Sequence, residues 1–194
     1  MKRADECCVC NVHLLFLLYN KACKNDSVEN EGGIVVKQIS RHISWQEIAR
    51  TCLGTALGIG GIAILAEVTK LPLIIAPFGA SAVLLYSATS SPLAQPRNLI
   101  VGHLISGTVA ITCCKVFGST IGSTVLAVTL AIVAMMLMDA VHPPGGATAL
   151  LCMLQNINSY SFLLTPLVLG VLILLLAAVV ASWVVPKAKP YPAR

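Results

Sequence analysis

His142 is the side chain in this sequence best placed for chemistry. It heads the run His142-Pro143-Pro144-Gly145-Gly146-Ala147-Thr148 in strongly apolar sequence, one helical turn after Asp139. An imidazole at membrane depth titrates near neutral pH, about 6.5 when unperturbed, and can take up a proton or pair with an anion. Ionisable groups in such surroundings read as functional. The spacing lets Asp139 orient that ring or share its proton. The plain alternative is a histidine that caps the end of a helix. Asp139 and His142 also suit acid–base chemistry. The second cluster usual in membrane metalloenzymes is missing, however, and the sequence has no nucleophile elbow, Walker loop or two-histidine–carboxylate metal set. The expectation is a protein that is not an enzyme and holds no cofactor or metal.

The run has an earlier echo, Ala76-Pro77-Phe78-Gly79-Ala80-Ser81-Ala82-Val83-Leu84-Leu85, aligned with it on the pattern Pro-x-Gly-Ala-[Ser/Thr]-Ala-[Val/Leu]-Leu. Proline followed by small residues starts a helix and does not continue one, so each copy reads as a helix N-terminus at membrane depth. Such an end has unpaired N–H groups and partial positive charge, and a duplicated pair of broken segments points to a transporter's binding site. Pro77 and Pro144 stop the preceding segments, while Gly79, Gly145 and Gly146 leave backbone N–H groups uncovered. Ser81 and Thr148 add hydroxyls near each start. Two opposed helix starts give several donors without a full positive charge, which suits weak, releasable binding of a small inorganic anion. The alternative is a pair of proline-kinked packing helices. Arg97 and Asn98 follow the turn-rich Ser90–Pro96 loop, where Arg97 either draws an anion toward the site or anchors the helix end. His103 has no visible partner and reads as a satisfied core histidine. Glu67 and Lys70 read as an interfacial ion pair.

The elements that must position these residues follow from composition. Hydrophobic residues make up 57% of the 194-residue chain and charged residues 11%, against about 25% charged in soluble domains. Between Thr51 and Pro186 the only charges are Glu67, Lys70, Arg97, Lys115 and Asp139. The net charge of +5 arises mostly in the flanks. It bears on membrane orientation, and with no basic–aromatic stripe nothing suggests a nucleic-acid partner. Spanning a bilayer takes roughly twenty apolar residues as helix. The candidates are Ile48–Ala66, Leu71–Ala88, Asn98–Phe117, Ile121–Met138, Pro143–Tyr160 and Phe162–Val185. Beyond the core of the repeat, Arg97-Asn98-Leu99-Ile100-Val101-Gly102 stays in step with Thr165-Pro166-Leu167-Val168-Leu169-Gly170. The repeat unit is thus three segments long, and an odd count turns the second copy upside down in the membrane. The expected fold is an all-α polytopic helical bundle of four to six spans, built from two inverted three-segment repeats with proline-broken helices. Lys37, Arg41, Arg50, Arg97, Lys187, Lys189 and Arg194 then share the cytoplasmic side with both termini, while Lys70 and Lys115 fall outside. Six crossings and four crossings plus two re-entrant segments satisfy this equally. Glycines at 54, 58, 60, 61, 102, 107, 118 and 122 read mostly as packing residues.

The chain divides into a poorly ordered N-terminal extension (1–44), a transmembrane domain (45–186) and a basic tail (187–194). Of eight cysteines, Cys52, Cys113, Cys114 and Cys152 lie in apolar spans and pack as small hydrophobes. Cys7, Cys8, Cys10 and Cys23 fall in the extension, where Cys7-x-x-Cys10 could bind a metal with Cys23 and His13 as further ligands; no second Cys-x-x-Cys exists, and a disordered, reduced tail is expected instead. The short apolar run Val12–Tyr19, preceded by Asp5 and Glu6, reads as part of a soluble extension and not as a signal peptide, and Asn25–Gly33 reads as a linker.

His142-Pro143-Pro144-Gly145-Gly146-Ala147-Thr148-Ala149-Leu150 resembles the signature of the HPP family of integral membrane proteins. Ala76 to Val83 and Ser91-Pro92-Leu93-Ala94-Gln95-Pro96-Arg97-Asn98 are similar to its other blocks, and the likeness covers about residues 45–185. It implies a membrane domain of four to six helices and, from plastid and cyanobacterial members, nitrite transport. The Gly145-Gly146 form looks more bacterial than plant, so a bacterial or cyanobacterial cytoplasmic membrane is expected over a plastid envelope. The expected function is an anion permease whose site comprises His142, Pro144, Gly145, Gly146, Thr148, Pro77, Gly79, Ser81, Asp139, Arg97 and Asn98. The expected partners are the lipid bilayer, a small inorganic anion and further copies of the chain, because so short a membrane domain makes a thin bundle around any pore. A membrane sensor or scaffold is the alternative.

Overall fold

The computed structural model describes residues 44–70, 76–185 and 191–192. Most of the N-terminal extension with its cysteines and linker, and most of the basic tail, lie outside the described residues. The described residues form six α-helices: α1 (Trp45–Thr69), α2 (Ala76–Ser87), α3 (Pro96–Phe117), α4 (Ile121–Leu137), α5 (Pro143–Leu154) and α6 (Leu169–Val184). A short 3-10 turn, Pro92–Ala94, precedes α3, and a wide turn, Leu163–Val168, runs into α6. Among the described residues there is no strand.

Among the described residues three helices are long and apolar enough to cross a membrane: Trp45–Val68, Pro96–Phe117 and Leu163–Val184. The 17 residues of α4 sit at the short limit. The 12-residue α2 and α5 reach only about 18 Å, little more than half of a hydrocarbon core of about 30 Å. They are the two proline-headed copies of the repeat. Proline supplies a preset φ and needs no N–H partner at a helix start, so each copy nucleates a helix where an uninterrupted span would have continued.

The ends of these elements are built by local chemistry. Asp139 and Asn156 adopt left-handed φ of 47° and 52°, each just past the end of a helix. The amides that follow, Ala140 and Ile157, bond back to the Met135 and Cys152 carbonyls at 2.9 and 2.8 Å, closing Schellman turns. The second turn ends α5 at Leu154, short of the expected Tyr160. The last span, expected to be continuous from Phe162, is broken instead: Pro166 bars its predecessor from helical geometry, and Thr165 sits at φ −132°, ψ 117°.

The packing repeats when the two halves of the chain are exchanged. Helix α1 lies against α2 and α6 as α4 lies against α5 and α3, while α2 meets α5 across the centre. Equivalent close contacts accompany this. A Cβ on Gly102 of α3 would stand 2.6 Å from the His142 Cβ, and one on Gly145 of α5 2.9 Å from the Gly102 carbonyl oxygen. At the matching place in the other half, a Cβ on Gly170 would stand 2.2 Å from the Phe78 ring. Gly54, Gly58, Gly61 and Gly107 also pack against neighbours, but Gly60, Gly118 and Gly122 face open space, and Gly118 serves the end of α3 with φ 69°. The core joins Phe78, Leu85, Leu99, Ile111, Met153, Leu167 and Leu174, all fully buried. Large apolar side chains along α4, from Ile121 to Leu137, point outward, as the lipid-facing side of a membrane bundle does.

Candidate functional site

Polar groups meet where α2, α3 and α5 come together. Ser81 on α2 and Thr148 on α5 occupy equivalent positions of the repeat, and His103 of α3 lies between them. His103 Nδ1 is 2.8 Å from Thr148 Oγ1 and its Nε2 is 2.8 Å from Ser81 Oγ. Ser81 Oγ is also 3.0 Å from His142 Nε2. The other nitrogen of His142, Nδ1, donates to the Leu93 carbonyl at 2.8 Å. The two imidazole rings stand edge to face with centroids 5.0 Å apart. Thr148 Oγ1 is in addition 3.3 Å from the Pro144 carbonyl. Ser81, His103, His142 and Thr148 are each 1% exposed or less. Buried polar atoms need partners, and these find them in one another.

Each element contributes for a local reason. Ser81 and Thr148 stand in the second turn of helices fixed in place by Pro77 and Pro144. His142 takes the extended N-cap conformation of α5 (φ −135°, ψ 104°) without a side-chain cap bond, so its ring is free to reach across to α2 and the Leu93 turn. It therefore caps no helix end with its side chain. That turn is itself pinned: Gln95 Nε2 donates to the Thr89 and Ser91 carbonyls, each at 2.9 Å. Gly102 and Gly145 let α3 and α5 approach closely enough to bring His103 to Thr148.

Other expected site residues are placed differently. Both nitrogens of His142 are engaged elsewhere, and among the described residues no hydrogen bond joins it to Asp139. The Asp139 carboxylate points to solvent, 3.7 Å from Arg97 Nη1. The left-handed turn that ends α4 rotates Asp139 off the face that continues to His142, which removes the expected orienting contact. Arg97 donates to the Met138 carbonyl at 2.8 Å and to the Asp139 carbonyl, covering the negative end of the α4 dipole. Asn98 Nδ2 donates to the Val141 carbonyl at 3.0 Å. Arg97 and Asn98 thus latch the α4–α5 turn to the start of α3. Pro77 and Pro144 are buried, Gly145 is packed, Gly79 is exposed and Gly146 half-buried. A Cβ on either Gly79 or Gly146 would meet nothing within 4 Å. Glu67 and Lys70 pair in solvent as expected. Among the described residues no three His, Cys, Asp or Glu side chains converge as a metal site. A cavity of about 420 Å³ opens between α3 and α4, away from the histidines, with apolar walls that include Val109, Leu130 and Val133.

His103 was legible only as a core histidine. Its one sequence signal is an imidazole one residue after a packing glycine, and its partners, from two other helices, are remote in sequence.

The model of the HPP transmembrane region matches residues 40–192. The chain belongs to the HPP family. It is an integral membrane protein, as the family and the bundle of apolar helices together require. Two similar proteins of Dictyostelium discoideum are described only as transmembrane proteins: one is 39% identical over 148 residues, 71% of this chain and 48% of its own length. The other is 38% identical over 148 residues, 71% of this chain and 52% of its own length. This HPP chain therefore spans about half the length of the curated relatives it matches. Both come from Dictyostelium, and the bacterial origin expected from Gly145-Gly146 finds no support in them. No solved structure matches the chain.

Proposed function

We propose that this HPP protein is a permease for a small inorganic anion, with nitrite the best candidate through the family resemblance. The supporting observation is the meeting of two half-length, proline-headed helices at repeat-equivalent hydroxyls in a buried polar cluster. Broken helices at a repeat interface are where secondary transporters hold their substrates. Intramembrane imidazoles in such a place suit a pathway better than a passive core. In this reading the helix starts around Gly79 and Gly146, where space is open, supply N–H donors to the anion as it passes. The site is conceived as a pathway and not as an enzyme centre, and both termini face the cytoplasm in a bundle that works as a homo-oligomer.

Flux into proteoliposomes is the test. Protein-dependent uptake of nitrite supports the permease; an absence of uptake for nitrite, nitrate, formate and chloride alike would leave the protein as a membrane sensor or scaffold. Turnover by protein in detergent, where no second compartment exists, would favour an enzyme instead.

A further inference from the structure

We propose that His103, Ser81 and His142 together form a binding site for a single proton, which travels with the anion as its co-substrate. This rests on the permease reading for the coupling, whereas the proton site stands on the hydrogen-bond line alone. The line runs Thr148 Oγ1, His103, Ser81 Oγ, His142, Leu93 carbonyl, and no link exceeds 3.0 Å.

Counting hydrogens shows why one proton fits. In the uncharged line Thr148 Oγ1–H donates to His103 Nδ1, His103 Nε2–H to Ser81 Oγ, Ser81 Oγ–H to His142 Nε2, and His142 Nδ1–H to the Leu93 carbonyl. Every donor has its acceptor, and the two rings are opposite tautomers. Now a proton is added at Thr148 Oγ1, taken from solvent in an open form of the protein because the residue is closed to water here. The Thr148 hydrogen passes to His103 Nδ1, the Nε2 hydrogen of His103 passes to Ser81 Oγ, and the Ser81 hydrogen passes to His142 Nε2. His142 ends as an imidazolium, each link before it has reversed, and the new Thr148 hydrogen turns to the Pro144 carbonyl at 3.3 Å. Every donor again has an acceptor, and no heavy atom has moved. With a second proton both Nε2–H groups would point at Ser81 Oγ. Its own hydrogen would lose both acceptors, and two like charges would face each other.

Few other ionisable groups bear on the line. Helix α2 brings Tyr86, whose hydroxyl donates to the Leu174 carbonyl at 3.1 Å, and α5 brings Cys152. Helix α3 brings Arg97, paired with Asp139 in solvent, and at its far end Cys113, Cys114 and Lys115, the last over the Tyr160 ring. Arg50 of α1 reaches the Tyr86 carbonyl, and Tyr191 bonds the Ala94 carbonyl beside Leu93. Among the described residues no carboxylate contacts either imidazole, so the charge of a bound proton is left to be balanced by the anion.

Nitrite uptake and lumenal pH, followed together in proteoliposomes near neutral pH against protein-free vesicles, test the coupling. Wild-type uptake should acidify the lumen by one proton per anion and be indifferent to a potassium–valinomycin potential. Ser81→Ala, which cuts the line and keeps both histidines, should abolish the acidification and make any remaining uptake potential-dependent; Ser81→Thr, which keeps the hydroxyl, should restore coupling. Uptake without proton movement, or full coupling in Ser81→Ala, would overturn the proposal. If wild-type protein moves no anion, the permease reading fails by itself. Nitrogen NMR of histidine-labelled protein in nanodiscs then decides the proton site. With His13 and His42 replaced by glutamine, one imidazolium shared by His103 and His142 and formed from opposite neutral tautomers (Nε2–H on His103, Nδ1–H on His142) supports it; identical tautomers or two independent titrations refute it.

Discussion

Thr148 and Ser106 both bury a hydroxyl, but only one of them bridges polar groups. Thr148 lies between His103 and the Pro144 carbonyl, whereas among the described residues the Ser106 hydroxyl donates to the Met135 sulfur alone, at 3.5 Å. Thr148→Val keeps the volume and leaves buried polar atoms without a partner, a loss of about 1–3 kcal/mol. Ser106→Ala removes a weak contact and should change stability much less. Melting temperatures of the two variants in the same detergent check this; an equal drop would mean that the histidine line contributes nothing particular. At His142, glutamine keeps a polar side chain but cannot titrate or bridge Ser81 and Leu93 as a ring does. His142→Gln should insert normally and lose the rise of anion flux toward acid pH that the wild-type protein is expected to show. A variant with unchanged rate and pH profile would remove His142 from the pathway.

Adjacent glycines at the start of α5 face opposite surroundings. A Cβ on Gly145 would stand 2.9, 2.9 and 3.0 Å from the Gly102 carbonyl oxygen, the Ser106 hydroxyl and the Met135 sulfur, while Gly146 faces open space. Gly145→Ala should therefore push α3 from α5 and cost about 1–3 kcal/mol, seen as lower yield and melting temperature. Gly146→Ala should fold as the wild type does. Gly146→Leu and Gly79→Leu should also insert normally and lower anion flux severalfold, because they obstruct the helix starts without touching the core; unaltered flux in both would deprive those starts of a role. Much at this scale was readable from sequence. Proline with small residues announced the two short helices, and the echo of one run in the other announced the repeat. The break at Thr165 was missed, although Pro166 stood in plain view, because an apolar stretch long enough to span hides a proline in its midst. Which of two neighbouring glycines packs depends on the direction in which each Cα faces a partner helix, and that is fixed only when α3 and α5 dock. The roles of Asp139 and Arg97 likewise turned on one left-handed residue at a helix end.

At the scale of the whole molecule, residues near the two ends of the described chain are tied to the same stretch, from the end of α2 to the turn before α3. Arg50 and Thr51, near the start of α1, bond the Tyr86 carbonyl at 3.1 and 2.7 Å. Tyr191, beyond α6, donates to the Ala94 carbonyl at 2.8 Å in the loop that follows Tyr86. Burial pushes the Tyr191 hydroxyl's pKa up, so it remains a donor at alkaline pH. Single cysteines placed at 37 and 189 should accordingly react with an impermeant thiol reagent from the same face of the membrane; labelling from opposite faces would refute both the even number of crossings and the repeat plan. The two halves are alike in pairing but unlike in filling: Gly102 against Gly145 on one side is Gly170 under the Phe78 ring on the other, and the histidine positions 103 and 142 align with Val171 and Ile75. Two identical halves would give a transporter whose inward-open and outward-open forms were equal in energy. Under the permease reading, unequal halves lift that degeneracy and would give the protein a preferred resting orientation, set by its own packing before any gradient is applied.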